Sequence, residues 1–349
     1  MGMRYKLFGR GTGLRVSELA LGCGLFGTRW GYGAEGPDAK RMLDAYLDAG
    51  GNFIDTADGY QLGESEEMLG GFLEGRRNDV VLATKYTNSA SARPGLTAVG
   101  NSRRVMIDAV EASLKRLKTD RIDLLWVHMP DGVTSIDEIM RGLDDLVRSG
   151  KVVYLGLSDF PAWRVARAQT IAELRGWTPL AGIQIEYSLV ERTPDRELLP
   201  MAEALGLGIA GWSPLGGGLL TGKYRRGEGG RKENFKRLIH SEDDPRKTAT
   251  LDAVLDIAGT RGLSPAQVSI AWAASRGAVP ILGPRTVEQL ADTLGAAGLD
   301  LTSAELARLD EASHVPLGFP FEMLGEDAQR IKLAGGVPDL VEGPREPVA

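Results

Sequence analysis

Eight short, continuously apolar runs alternate along this chain with stretches of helical period, and few folds accept that pattern. The runs cover residues 19–21, 52–55, 80–85, 123–128, 152–158, 182–186, 207–213 and 278–283. Runs without polar alternation read as strands buried on both faces. Between them, apolar residues recur at helical spacing over 37–49, 103–117 and 136–149. Eight βα units in 349 residues predict a closed (β/α)8 barrel, with an open doubly wound sheet as the alternative. Residues 1–312 are expected to form this single domain, and 313–349 a tail packing on or near the barrel mouth. The N-terminal "RYKLFGRGTGLRVSELA" reads as two short strands joined by a Gly-rich turn, a β-hairpin cap on the barrel's N-terminal end. The segment 214–247 is too long for a plain connection, and such loops are usually lids or disordered.

Charge and composition remove several function classes. The net charge is −6 and no basic run stands out, so a nucleic-acid partner is not expected. No apolar stretch reaches the length of a membrane span, and the N-terminus lacks a signal-peptide core. The single cysteine, Cys23, cannot form an internal disulfide. These features predict a cytoplasmic, reducing setting; the expected partner is a small molecule, and the expected assembly a monomer or small homo-oligomer.

Two glycine motifs invite misreading. Gly22 to Gly27, "GCGLFG", fits the dinucleotide fingerprint G-x-G-x-x-G. That fingerprint needs a helix opening at the loop, and "TRWGYGAEGP" cannot begin one. Gly217 to Lys223 fits G-x-x-x-x-G-K, but Tyr224 replaces the hydroxyl that would hold Mg²⁺. Glycines beside a lysine still suit phosphate oxygens through their backbone N–H groups.

Function in a (β/α)8 barrel collects at the C-terminal strand ends. The second run ends in Asp55, with Tyr60 in the loop beyond; the third ends in Lys85 and the fourth in His128. Taken singly, each has a bland reading: an N-cap, a loop tyrosine, a surface lysine, a core histidine. Together, at three consecutive strand ends, they form a catalytic constellation. A buried lysine and aspartate neutralise each other. A lysine beside a tyrosine favours the phenolate and is expected to lower a pKa that is ordinarily about 10. Such a tyrosine gives or takes a proton. His128 is placed to hydrogen-bond a carbonyl oxygen.

The stretches "NFIDTADGYQLGESEEMLG", "LATKY", "DLLWVHMPD", "LGLSDF", "IQIEYSLV" and "GWSPLGGGLLTGKY" resemble, in order and spacing, the successive motifs of the aldo-keto reductases, over residues 4–312. The block D-T-A-x-x-Y-G-x-S-E is met by Asp55 to Glu66, with Leu62 changed and an extra residue before Ser65. The resemblance implies a (β/α)8 barrel that moves hydride reversibly between a nicotinamide cofactor and a carbonyl or alcohol, without a metal. It implies Tyr60 as general acid, Lys85 and Asp55 as the pair that tunes it, and His128 as the residue orienting substrate.

For the cofactor, the resemblance implies contacts from Gly22, Cys23 and Asp55. Trp212 would stack on the nicotinamide, with Ser158, Asp159 and Gln184 about its carboxamide. Asp159 departs from the family's usual Asn, and a carboxylate cannot donate to an amide oxygen. Ser213, Pro214, Leu215, Gly217, Leu219 and Lys223 would fold over the pyrophosphate. Gly283, Arg285, Gln289 and Asp292 would hold the adenosine phosphate, where an Arg fork suits a 2′-phosphate and favours NADP(H) over NAD(H). Asp292 and Thr293 stand where Glu and Asn are frequent. Leu25, Phe26, Trp30 and Tyr86 are expected to wall an apolar, aromatic substrate pocket. The rim residues 314–321, "HVPLGFPF", either line it or lock the tail. Two other readings are a cofactor-binding regulatory barrel with little turnover, as in channel subunits of the family, and a Schiff-base aldolase using Lys85.

Overall fold

A computed structural model describes residues 2–228 and 240–342. Eight parallel strands close into a barrel: β3 (Ala20–Gly22), β4 (Phe53–Asp55), β5 (Val81–Tyr86), β6 (Ile122–Val127), β7 (Val152–Ser158), β8 (Leu180–Glu186), β9 (Gly208–Trp212) and β10 (Val279–Leu282), with β10 pairing back onto β3. Helices follow the strands on the outside, as the alternating pattern predicts. The helix Arg103–Leu117 has the bounds read from its periodicity, because Ser102 caps it by accepting the Val105 N–H and Lys118 ends it in a left-handed conformation.

β1 (Tyr5–Leu7) and β2 (Arg15–Ser17) form the expected antiparallel hairpin. Its purpose is visible in Phe8, which sits edge-on to Phe53 (5.5 Å) and Trp126 (6.0 Å) and plugs the barrel floor. Close approach here requires glycine: a Cβ on Gly182 would lie 2.5 Å from the Phe8 ring, and one on Gly156 2.2 Å from Trp126.

Beyond β9, Gly216–Thr221 forms a 3-10 turn and residues 222–227 continue as turns. Arg225 ties this segment to the helix Pro245–Arg261 by bonding Asp252 (2.6 Å), and to the chain just before that helix by bonding Glu242 (2.9 Å). Residues 229–239 of the expected lid, and 343–349 of the tail, lie outside the described residues. The tail begins against the loop after β8, where Arg196 Nη2 donates to Pro316 O at 3.4 Å. Its helices Phe321–Gly325 and Asp327–Leu333 carry no buried side chain. No helix among the described residues is long and apolar enough to cross a membrane.

Candidate active site

Parity along the strands decides which side chains face the mouth. Successive strand residues point to opposite sides. Phe53, Val81, Ala83, Leu124 and Trp126 fill the barrel interior, while Ile54, Leu82, Leu125 and Val127 pack outward on the helices. Asp55, Lys85 and His128 continue the inward set, and Gln184, between outward Ile183 and Ile185, joins them.

These residues converge on one network. Lys85 Nζ donates to Asp55 Oδ2 (2.5 Å), to Thr56 O (2.8 Å) and to Tyr60 Oη (3.2 Å). Gln184 Nε2 donates to the other Asp55 oxygen at 2.9 Å. All three ammonium protons and both carboxylate oxygens are therefore engaged, which lets an ion pair persist at 1% and 2% exposure. The Tyr60 ring lies edge-on to His128 (5.7 Å between centroids) and to Trp30 (6.1 Å).

The electrostatics correct one expectation. Burial pushes the Tyr60 phenol up; Lys85 pulls it back only in part, so its pKa stands above the ordinary tyrosine value rather than below it. Lys85 has the opposite balance: burial disfavours the ammonium, but Asp55 and Tyr60 outweigh it and hold the group above its usual range. Burial and the Lys85 charge push His128 down to about 3, leaving a neutral imidazole. The Asn88 amide nitrogen lies 3.2 Å from His128 Nδ1, and its donation there leaves the proton on Nε2. Burial raises Asp159 to about 6, although it accepts from Trp212 Nε1 at 3.0 Å, a bond that favours the carboxylate.

A cavity of about 580 Å³ opens over this network. It is lined by Gly22, Asp55, Tyr60 and His128, then Ser158, Asp159, Gln184 and Trp212. Its wall continues through Ser213, Pro214, Leu215, Gly217 and Lys223 to Gly283, Arg285, Gln289 and Asp292. Leu25 also lines it, as does Thr293. Lys85 lies just beneath, in contact with Tyr60.

Other expected residues are not on that wall. Tyr86 follows Lys85 on β5, so its ring points outward into the helix-packed core. Cys23 and Phe26 are fully buried in the core cluster that packs on the helix Gly36–Asp48, and Leu219 is buried in the main outer core. Trp30 stands beside Tyr60 at 41% exposure but outside the cavity lining. No described tail residue lines the cavity.

Several wall residues carry no signal in the sequence. Tyr32 lies under the Arg285 guanidinium, 5.0 Å from ring centre to Cζ. Arg226 and Met129 also line the cavity, and Asn88 reaches it only through His128. Gln289 bonds back to the Arg285 N–H at 2.9 Å, which fixes the loop entering the helix Val287–Leu294. The phosphate-like glycine loop is not a nucleotide-triphosphate loop: Tyr224 Oη donates to Gly217 O at 3.1 Å, and no described helix starts at Lys223.

The wall suits a dinucleotide. Lys223, Arg226 and Arg285 bring cationic groups to it, Arg226 paired with Glu228 at 2.5 Å, and Gly217 and Gly218, at φ 64° and 94°, add no side chains to that stretch. Trp212 offers a flat apolar ring near Tyr60's end. Elsewhere, Glu186, Glu191 and His240 bring one ligand atom each within 4.8 Å of one another, but His240 Nε2 already pairs with Glu186 at 2.9 Å.

A closed eight-stranded barrel with this strand-end network and cavity defines a class of oxidoreductase, and comparison with known proteins agrees. The chain belongs to the aldo/keto reductase family, whose model matches residues 18–314. It is 38% identical to norsolorinic acid reductase of Aspergillus flavus over 92% of this chain and 84% of that protein. It is 34% identical to an NADP(+) aryl-alcohol dehydrogenase of Phanerodontia chrysosporium, over 93% of this chain and 89% of that one. An uncharacterised oxidoreductase of Bacillus subtilis is 40% identical over 90% of this chain and 98% of its own length.

Proposed function

We propose that this protein interconverts an aromatic carbonyl and its alcohol with NADP(H), Tyr60 giving and taking the proton. The observation that carries this reading is the buried Asp55–Lys85–Tyr60 chain beside a neutral His128. When bound, the nicotinamide supplies hydride to the carbonyl carbon. Tyr60 Oη then donates its proton to the carbonyl oxygen, so that one hydride and one proton complete the alcohol. The phenolate left behind is stabilised by the Lys85 ammonium 3.2 Å away. Asp55 keeps that ammonium charged, and His128 Nε2–H hydrogen-bonds the same oxygen as charge grows on it. Oxidation runs through the same groups in reverse.

Arg285 supports NADP(H) over NAD(H), because a guanidinium can grip a 2′-phosphate with two N–H groups. The expected test outcome is selective. Arg285→Leu weakens NADPH at least tenfold, in line with ~1.5–3 kcal/mol for hydrogen bonds to a charged group, and leaves NADH unchanged. Tryptophan quenching measures both. Equal loss for the two cofactors would remove Arg285 from phosphate recognition.

The aromatic substrate class rests on Leu25 and Met129 in the wall, Trp30 beside Tyr60, and relatives named for aryl alcohols. A Schiff-base role for Lys85 is disfavoured, since an amine nucleophile must lose its proton and Asp55 and Tyr60 hold this one on.

A further inference from the structure

We propose that Gln61 is a positioning residue for substrate specificity: it holds the 24–35 loop so that Trp30 stands as a fixed aromatic wall beside Tyr60. This role rests on the hydride-transfer reading above.

The chain leaves Tyr60 in a strained turn that runs to Gly63. Gln61 and Leu62 are both left-handed, at φ 50° and 55°, a conformation non-glycine residues rarely adopt. That turn drives the Gln61 side chain, fully buried, into the loop between β3 and the helix Gly36–Asp48. There its Oε1 accepts the Trp30 N–H at 2.8 Å, and its Nε2 donates to Tyr32 O at 2.8 Å. One buried amide thus clamps the backbone on either side of Gly31. Glu64 adds a second clamp, its Oε2 accepting the N–H groups of Thr28 (2.7 Å) and Arg29 (3.0 Å).

The loop is moulded to these two side chains. A Cβ on Gly27 would lie 2.4 Å from the Glu64 carboxylate, and one on Gly33 would lie 2.9 Å from Gln61 Nε2 and 1.9 Å from Gly27 O. The loop closes on itself through Gly27 N–H to Ala34 O and Ala34 N–H to Leu25 O, while the N–H groups of Thr28, Arg29 and Trp30 and the Tyr32 carbonyl are met by side chains from the Tyr60 turn. Gln61 is adjacent to Tyr60 in the chain, so the wall and the proton donor are set by the same turn. An aromatic substrate reaching Tyr60 meets the Trp30 indole; a small aliphatic aldehyde does not extend to it.

The discriminating variant is Gln61→Gly. Glycine accepts the left-handed backbone, so the side-chain contacts are removed without added strain. The expected result is faster amide hydrogen exchange in residues 28–33. With it, KM for 2-naphthaldehyde rises about tenfold, while kcat and the KM for propanal stay near wild type. Trp30→Leu is expected to give the same KM rise, and the two changes together no more than either alone. Unchanged exchange, an equal KM rise for both aldehydes, or additive effects of the two variants would overturn the proposal. Turnover of neither aldehyde by the wild type would instead sink the hydride-transfer reading, and this role with it.

Discussion

Replacing Tyr60 with Phe is expected to lower kcat/KM for aldehyde reduction about 10³-fold, within the range for removing a positioned general acid. The ring, its edge contacts with His128 and Trp30, and the Asp55–Lys85 pair survive this change, because only the 3.2 Å contact from Lys85 is lost. NADPH should therefore still quench tryptophan fluorescence as in the wild type. The pH profile carries the sign of the Tyr60 shift. Reduction needs the protonated phenol, whose pKa lies above its ordinary 10.0. The rate should stay level through neutral pH and fall only in strong alkali. Oxidation needs the phenolate and should climb over the same alkaline range. A reduction rate that already falls with pH between 6 and 8 would mean that a group other than Tyr60 supplies the proton.

The second large effect is on stability. Asp55→Ala leaves the Lys85 ammonium at 1% exposure with no carboxylate, and breaking a buried pair in this way costs about 3–5 kcal/mol. Urea unfolding should show the loss as a lower midpoint with an unchanged slope. Asp55→Leu combined with Lys85→Met should recover most of the stability while abolishing activity, because the pair is then removed as a unit. A midpoint equal to wild type in Asp55→Ala would show that Lys85 is neutral in the folded protein, contrary to its position above the usual lysine range.

Much of this architecture is readable in the residues. The eight apolar runs match the eight barrel strands to within two residues at each end, because strands buried on both faces leave no polar interruption. The inward network is readable too, since polar residues at the ends of apolar strands have few other reasons to be there. Parity also marks Tyr86 as outward: it follows Lys85 on one strand, and the two cannot face the same side. Cys23, next to Gly22, likewise turns its side chain into the helix-packed core. Contact between irregular segments is hidden from such a reading. Gln61 and Glu64 bond backbone groups some thirty residues away in a loop with no period, so nothing in either stretch announces the other. The direction of the Tyr60 shift is hidden for a related reason: the neighbouring Lys85 is visible in sequence, while the burial that outweighs it is a property of the folded barrel.

Hydride transfer itself is tested most directly by following the label. With NADPH deuterated at the transferring C4 position and 2-naphthaldehyde, the alcohol product should carry deuterium on its carbinol carbon. Tyr60→Phe, though still binding the cofactor, should form almost none. Tight NADPH binding by the wild type with no deuterium in any product, across a panel of aromatic and aliphatic aldehydes, would contradict hydride transfer. The chain would then be a cofactor-binding barrel in which Asp55, Lys85, Tyr60 and His128 do not carry out a reaction.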